Sequence, residues 1–538
     1  MKDKKIAVIA LCGSDGVSAI RPYLDAVDVP DGYTVELIEV SPHGNAADAY
    51  QRAMQQSDAK YKVYLSAGSI LLRLNFFEEM LRLFADPTVG AMGLVGTKQL
   101  STSGELGASP MLKGRLLYTD DSAFRGADIV GAVEEVMAVS GDLIATQYDL
   151  PWRSALFRRE SLFVEAQCIE FRRKGYRTVV PQQDAPWLLT NKKERCVDET
   201  CRQLFLDTYS KDIYPLVSVV IPTFERPHYF RLALESVLAQ TYRNLDIFIT
   251  DNSHNTETAD MMRRDFSNDL RIHYEHHPSY GVYENWSRAR SYNNKDALYV
   301  NWLMDDDLFM PDKIAVMMDC FFAHPDLSLV TSYRECMDVN GDKLADLETT
   351  APITQTATKI SGEKMGTGIL VSLTNYVGEP TTALLKKSLL VNGHDLGFSG
   401  KEGKYLISDF PTWLRLLSQG DVMYLPTPLS KFRMHPGNDQ LRYQTRVCAA
   451  ICWALTIREA VERKLYLHDL HTRRKALAEW MKAASEVLRI AAMIPELWEE
   501  TGTRDLLTAF AAMSEALCKD CRIDFDIDTT LVLHMDEG

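Results

Sequence analysis

The 538-residue chain contains no run of about 18 apolar residues, so no transmembrane helix is expected. Its ten cysteines are too few and too scattered for a disulfide scaffold. Cys518 and Cys521 form one CxxC, and Cys196 and Cys201 are spaced CxxxxC. A zinc site would need both pairs to converge, and nothing in the sequence requires that. Basic residues are in deficit: 59 Lys and Arg stand against 74 Asp and Glu, a net charge of −15. That balance argues against nucleic acid as a partner, since such binding displaces counterions with Lys and Arg. With 46% hydrophobic and 25% charged residues, the chain is too apolar to be disordered. The start, MKDKKIAVIALCGSDG, has a basic end and a short apolar run, the elements of a signal peptide. KIAVIAL has only strand length, however, and Gly13, Ser14, Asp15 and Gly16 follow it as a loop would, so a strand is the reading adopted.

What the chain does contain is alternation. IAVIAL (6–11), TVELIEV (34–40) and KVYLSA (62–67) read as strands, with amphipathic stretches such as NAADAYQRAMQQ (45–56) between them. Residues 206–216 read as a connector. A second alternating region follows, with strands LVSVVIP (216–222), LDIFIT (245–250) and ALYVNWLM (297–304), and helices HYFRLALESVLAQ (228–240) and PDKIAVMMDCFFA (311–323). From about 442 helical periodicity takes over, and RIDFDIDTTLVL (522–533) alternates as a closing strand would. The expected organisation is an α/β domain over 1–205, a second over 215–441, and a mainly helical region over 442–538.

The two α/β regions repeat each other. At a constant offset of 238, Leu65 meets Leu303, Ala85 meets Ala323 and Pro87 meets Pro325. At an offset of 245, Gly175 meets Gly420 and Pro181 meets Pro426. The same offsets set Ala67, Gly68 and Ser69 opposite Asp305, Asp306 and Asp307, and Val164 opposite Asp409. The first copy lacks acids in two places where the second has them.

Three aspartates end an apolar strand in NWLMDDDLFMPDK. Adjacent carboxylates repel unless a cation offsets them, and Mg²⁺ or Mn²⁺ suits carboxylate oxygens. The C-terminal end of a strand is also where open α/β sheets bind ligands. The competing reading is a solvated acidic turn that leads into the helix after Pro311.

The second region resembles a family 2 glycosyltransferase of the GT-A fold. VSVVIPTFERPHYFRLALESVLAQTYRNLDIFITDNS (217–253) is similar to that family's nucleotide-binding start. The resemblance implies that Pro222, Thr223, Glu225 and Arg226 line a nucleotide-sugar site, with Asp251 and Asn252 facing base or ribose. LMDDDLFMP matches the family's L-D-x-D-D-x-x-x-P. In that register Asp306 is the metal-binding acid, supported by Asp305 on the donor side and Asp307 on the metal side, while Met304 stands where a first acid is usual. GEPTTALLKKSLL (378–390) resembles the stretch that shapes the acceptor pocket. ISDFPTWLRLLSQGDVMYLP (407–426) resembles E-D-x-x-L-W-L-R-L and makes Asp409 the implied catalytic base, a residue equally suited to cap its helix. LSKFRMHPGN (429–438) resembles Y-R-x-H and places His435 at the metal or diphosphate. After Gly281 the family's A-R-N is replaced, which leaves Arg288 and Arg290 as alternatives for a phosphate contact. The first region resembles the glycosyltransferase-like domains named for streptomycin biosynthesis, through SPHGNAADAYQRAMQQSDAKYKVYLSAGSI, VEEVMAVSGDLIATQYDLPWRSALF and FRRKGYRTVVPQQDAPW.

The fold class so implied is α/β: two tandem GT-A-like (Rossmann-like nucleotide-diphospho-sugar transferase) domains, then helices. The implied activity is inverting, metal-assisted transfer of a sugar from a nucleotide-sugar donor to an acceptor hydroxyl. A UDP-sugar is favoured as donor, with GDP- and dTDP-sugars as alternatives, and the acceptor is a glycan, a lipid-linked molecule or a protein. Two other readings stand beside it. One is a non-catalytic glycan- or nucleotide-binding scaffold. The other is a nucleotidyltransferase, against which PTFERPHYF counts because it has no glycine for a phosphate loop. Arg446, Arg458, Arg463, Lys464, Arg473, Arg474 and Lys475 leave three roles open for the tail: a solvated face, peripheral membrane contact, or a homo-oligomer interface. The expected location is cytoplasmic, with the inner face of the membrane as one site of action.

Overall fold

A computed structural model describes residues 2–525 apart from 13–19, 42–44, 121, 158–160, 192–196, 348–349, 391–408 and 435–442. The chain divides into two compact units, Met1–Tyr214 and Pro215–Gly538. Among the described residues no helix is long and apolar enough to cross a membrane.

In the second unit Val217, Val219, Val220 and Ile221 are all at most 1% exposed, the continuous apolar run of a parallel strand covered on both faces. That strand, Leu216–Thr223, lies between Leu245–Asp251 and Ala297–Trp302, parallel to both. The sheet runs Ile272–His276, Leu245–Asp251, Leu216–Thr223, Ala297–Trp302, Leu384–Lys386, Leu327–Met337, Asp421–Arg433, Leu308–Phe309, with Thr358–Ile360 added on Asp421–Arg433. Leu384–Lys386 is antiparallel to both its neighbours. From Leu216–Thr223 the chain first builds outward on one side and then returns to the other. The C-terminal ends of Leu216–Thr223 and Ala297–Trp302 therefore form a topological switch point, the place where open α/β sheets bind ligands. The helix Pro227–Leu238 leaves that point with proline in its first turn and buries Phe230, Ala233, Leu234 and Val237, one face at 3.6-residue spacing.

The main sheet of the first unit repeats the plan: Thr34–Val40, Lys2–Leu11, Ala59–Leu65, Leu143–Thr146, Val89–Gly93, Arg177–Pro181, Val133–Val136. The register repeats as well. Val8 pairs with Leu37 and Val63, and Val219 pairs with Ile247 and Asn301. A second, smaller sheet in this unit contains Leu112–Tyr118 and Leu188–Thr190.

Two expectations need correction. The connector expected at 206–216 is mostly the helix Glu199–Ile213, capped by Asp198 and buried along Cys201, Phe205, Leu206, Tyr209 and Ile213. The strand expected over 522–533 does not begin by Phe525: Ile523 and Phe525 instead enter a helical core, and the rest of that segment lies outside the described residues.

That core joins the tail to the second sheet. Helices Tyr443–Glu462, Leu470–Met493 and Thr501–Lys519 bury Ile451, Trp480, Leu506 and Met513 in one cluster with Ile369, Leu370, Phe410 and Trp413. The Phe410 and Trp453 rings stack at 3.8 Å.

Candidate active site

Thr223, the last residue of its strand, donates through Oγ1 to Oδ2 of Asp305 at 2.9 Å, and the Phe224 amide reaches the same oxygen at 3.3 Å. The loop then turns through Glu225, which has a left-handed φ of +49° and whose amide donates to Ser253 Oγ at 2.8 Å. A non-glycine residue held there is strained, and such strain gathers at functional loops. The turn delivers Arg226 across the strand ends, where Nη1 lies 3.0 Å from Asp306 Oδ2 and 3.7 Å from Asp305 Oδ1. Pro222 is buried in the strand behind them.

The three aspartates diverge. Asp305 turns to Thr223 and Asp306 to Arg226. Asp307, 1% exposed, turns inward: it accepts from Thr381 Oγ1 at 2.6 Å and from the Arg433 amide at 3.0 Å. Asp306 and Asp307, grouped as metal ligands by the resemblance, thus have carboxylates that serve different neighbours. Burial, reinforced by the Asp306 charge, raises both Asp305 and Asp307 above the usual carboxylate range. Among the described residues no three His, Cys, Asp or Glu side chains converge on one point. A cation here would have Asp306, backed by Asp305, and the rest of its shell from substrate phosphate and water. Mg²⁺ is commonly held in that way, so the donor set fits Mg²⁺ or Mn²⁺. His435 lies outside the described residues.

Asp251 and Asn252 lie beneath the site rather than at its surface, 0% and 3% exposed. Asp251 accepts from Tyr274 Oη at 2.6 Å and from the Ser253 amide at 2.8 Å. Asn252 donates to Tyr280 O at 3.1 Å and accepts from Asn285 Nδ2 at 2.8 Å. Through these bonds they fasten the turn that carries Ser253 and His254. Arg288 is engaged by Glu275 at 2.6 and 2.7 Å, and Arg290 bonds within its own helix.

Asp409 opens the helix Asp409–Leu417. Its Oδ1 accepts from the Phe410 amide at 2.8 Å and its Oδ2 from Asn375 Nδ2 at 2.9 Å. Burial pushes its carboxyl up to about 6, and the Glu379 charge adds to that. The same Glu379 charge acts on Asp307, so the base candidate and the aspartate stretch share one electrostatic environment. Glu379 is held by Arg334 at 2.7 Å. Gly378, at φ +96°, makes the turn before it, and its carbonyl accepts from Trp413 Nε1 and Asn375 Nδ2, both at 2.9 Å.

Sequence reasoning missed four of these supports. Asn285 joins Thr223 O, Thr250 and Asn252 at 3.3, 2.7 and 2.8 Å. Arg433, 2% exposed, donates to the carbonyls of Asp306, Asp338 and Val339. Glu379 and Thr381 lie in the stretch assigned only to the acceptor pocket. Each sits inside a motif already singled out, and that is the signal by which they were findable.

The chain is similar to several curated proteins and solved structures. An uncharacterized glycosyltransferase of Rickettsia bellii is 21% identical over 256 residues, 47% of this chain and 35% of the relative. One of Rickettsia typhi is 26% identical over 231 residues, 43% of this chain and 66% of the relative. The chain thus spans from about a third to two thirds of the length of these relatives. The structure of S. aureus TarS 1–349 in complex with UDP-GlcNAc aligns with a TM-score of 0.36 at 14% identity, covering 60% of this chain and 98% of that one. Residues 11–209 match the family described as "Glycosyltransferase like family" and residues 218–388 match "Glycosyl transferase family 2", so each of the two tandem α/β units is similar to a glycosyltransferase family, and helices follow the second.

Proposed function

We propose that the second unit transfers a sugar from a nucleotide-sugar to an acceptor hydroxyl, with inversion. The observation that carries this reading is the pairing of a phosphate-competent cluster at the switch point, Arg226 with Asp305 and Asp306, with a raised and well-held carboxylate, Asp409. Arg226 presents a charged fork to the diphosphate, a geometry suited to phosphate oxygens. Asp306, with Asp305 behind it, would hold a Mg²⁺ or Mn²⁺, which would supply neutralisation of the charge on the departing diphosphate. Asp409 accepts the acceptor's hydroxyl proton while that oxygen bonds to the anomeric carbon. The carbon–phosphate-oxygen bond breaks, and its electron pair leaves with the nucleoside diphosphate. A carboxylate raised to about 6 is a stronger base than an ordinary one and still ionised at neutral pH. Asn375 fixes its orientation, and the Phe410–Trp453 stack braces its helix from the tail.

The donor is a UDP-, GDP- or dTDP-sugar, with UDP favoured, and the acceptor a glycan, lipid-linked molecule or protein. Action at the inner face of a membrane and homo-oligomer formation through the tail belong to the same reading. The first unit, a copy similar to the domains named for streptomycin biosynthesis, takes no part in the chemistry.

Product analysis tests the proposal. Incubation with UDP-, GDP- and dTDP-sugars is expected to release nucleoside diphosphate from one donor class, and Asp306→Ala is expected to abolish that release. Release of pyrophosphate would instead identify a nucleotidyltransferase.

A further inference from the structure

The second unit holds an ion pair that the proposed chemistry leaves unused. Arg334, 6% exposed, lies side by side with Glu379, Nη2 to Oε1 at 2.9 Å and Nε to Oε2 at 2.7 Å. A planar guanidinium set in this way fixes the orientation of a carboxylate as well as balancing its charge. The Glu379 side chain itself keeps 21% exposure.

The turn that carries Glu379 is fastened at every carbonyl from 378 to 382. Gly378 O accepts from Asn375 Nδ2 and Trp413 Nε1, and Glu379 O from the Thr382 amide at 2.9 Å. Pro380 O and Thr381 O accept from Asn301 Nδ2 at 3.0 and 3.3 Å, and Thr382 O from Lys313 Nζ at 2.8 Å. Asn301 and Lys313 are fully buried, so the turn rests on a buried polar network, which makes it rigid. Gly378 makes room for the ion pair: a Cβ there would come within 2.8 Å of Thr382 Oγ1 and 3.3 Å of Arg334 Cζ.

The same turn ties the aspartate stretch to the base candidate. At one end Thr381 Oγ1 donates to Asp307 at 2.6 Å and accepts from the Met304 amide at 3.2 Å. At the other, Asn375 Nδ2 bonds both Gly378 O and Asp409 Oδ2, and Trp413 reaches Gly378 O from the helix that Asp409 opens. Glu379 stands between these ties, and its charge acts on both Asp307 and Asp409. In the first unit the shared sheet register puts Ser140 at the position of Glu379, and the offset of 238 puts Gly96 at that of Arg334. The copy that lacks counterparts of Asp305, Asp306 and Asp409 therefore lacks this pair as well.

We propose that Glu379 is a specificity-determining residue: it accepts hydrogen bonds from ring hydroxyls of the sugar being transferred and so selects the nucleotide-sugar. The inference rests on the transfer reading, in which the diphosphate leaves at Asp306 and Asp409 takes the acceptor's proton. The transferred ring lies between those two events, as Glu379 lies between the ties to Asp307 and Asp409. An ionised carboxylate accepts and cannot donate, so it pairs with hydroxyls rather than with phosphate oxygens. A site built to hold a hydroxyl discriminates strongly against a sugar that lacks it.

The test uses the full chain with Mn²⁺ and no acceptor. Calorimetric titration compares UDP, GDP and dTDP with UDP-glucose, UDP-galactose, UDP-GlcNAc, GDP-mannose and dTDP-glucose, for wild type, Glu379→Gln and Glu379→Asp. Both substitutions leave Arg334 an acceptor, and the second also leaves it a negative charge. The wild type is expected to bind one nucleoside diphosphate and at least one of its sugar conjugates. In both variants the affinity for the nucleoside diphosphate should stay within about twofold of wild type, while that for the conjugate falls about tenfold or more. An equal fall for both ligands would overturn the proposal, by making Glu379 a brace for the turn. The absence of a selective fall in either variant would overturn it too, by moving Glu379 to the acceptor or out of the site, as would a wild type that binds a nucleoside diphosphate but none of the conjugates. A wild type that binds none of the eight ligands would contradict the transfer reading itself, and the proposal with it.

Discussion

Nη1 of Arg226 lies 3.0 Å from Oδ2 of Asp306, bridging the loop after the first strand of the second unit to the turn after its fourth. The guanidinium balances charge that Asp305 and Asp306 would otherwise place on each other, and in the proposed function it meets the donor diphosphate. A charge-assisted hydrogen bond of this kind contributes about 1.5–3 kcal/mol. Arg226→Gln is therefore expected to weaken nucleoside diphosphate binding about tenfold to a hundredfold by calorimetric titration. Unchanged affinity would remove Arg226 from the site.

In the proposed reaction Asp409 sets the pH dependence of transfer. Its carboxyl must be ionised to accept a proton, and it is raised to about 6. The kcat/KM for transfer should fall about tenfold per pH unit below that value and level off above it. Asp409→Asn should lower turnover by ~10²–10⁴-fold while nucleotide binding survives. Full turnover in that variant would show that another group takes the proton.

Asp305 sets a pH dependence of stability. Its folded pKa is raised, so the folded state binds the proton more tightly than the unfolded state. Its contribution to stability is complete below the ordinary carboxylate range and is lost as pH rises through the raised value. Asp305→Asn, which keeps an acceptor for Thr223, removes that loss. In thermal melts its advantage over the wild-type chain should widen as pH rises from about 4, by no more than about 1.4 kcal/mol per pH unit, and then stay constant. A gap that narrows with rising pH would reverse the sign of the argument.

Arg433 is a structural clasp. Its guanidinium satisfies three backbone carbonyls from the aspartate turn and the Asp338 loop while almost fully buried. Arg433→Met keeps the stem but orphans those acceptors, and should cost about 2–5 kcal/mol in denaturant unfolding. A loss below about 0.5 kcal/mol, the size of an ordinary surface substitution, would show that the carbonyls find other partners.

The sheets were readable because buried parallel strands leave continuous apolar runs: LVSVVIP and LDIFIT fall on Leu216–Thr223 and Leu245–Asp251. The repeat was readable because its offsets survive without gaps, and it anticipated the shared strand order. The three aspartates were not readable as individuals. Adjacency does not tell which way each carboxylate points, and here Thr223, Arg226 and Thr381, far apart in sequence, decide it. Asp251 and Asn252 read as ligand contacts in a motif, and their bonds to Tyr274, Tyr280 and Asn285 could not be read from it. The surroundings of Asp409 depend on Gly378 and Asn375, whose roles come from a left-handed turn and a long-range hydrogen bond that no local pattern encodes. The helix Glu199–Ile213 was missed because charged residues between its buried positions mask its period.

The central claim is that a nucleoside diphosphate sits where Arg226 meets Asp306. The most direct test is thermal stability of the full chain against UDP, GDP and dTDP, each with and without Mn²⁺, for wild type and Asp306→Ala. Ligand at ~100 times its dissociation constant should add ~2.7 kcal/mol, enough to read as a shift. The account predicts a Mn²⁺-dependent shift with one nucleotide that disappears in Asp306→Ala. A shift of the same size in wild type and variant, or no shift with any of the three, would contradict it.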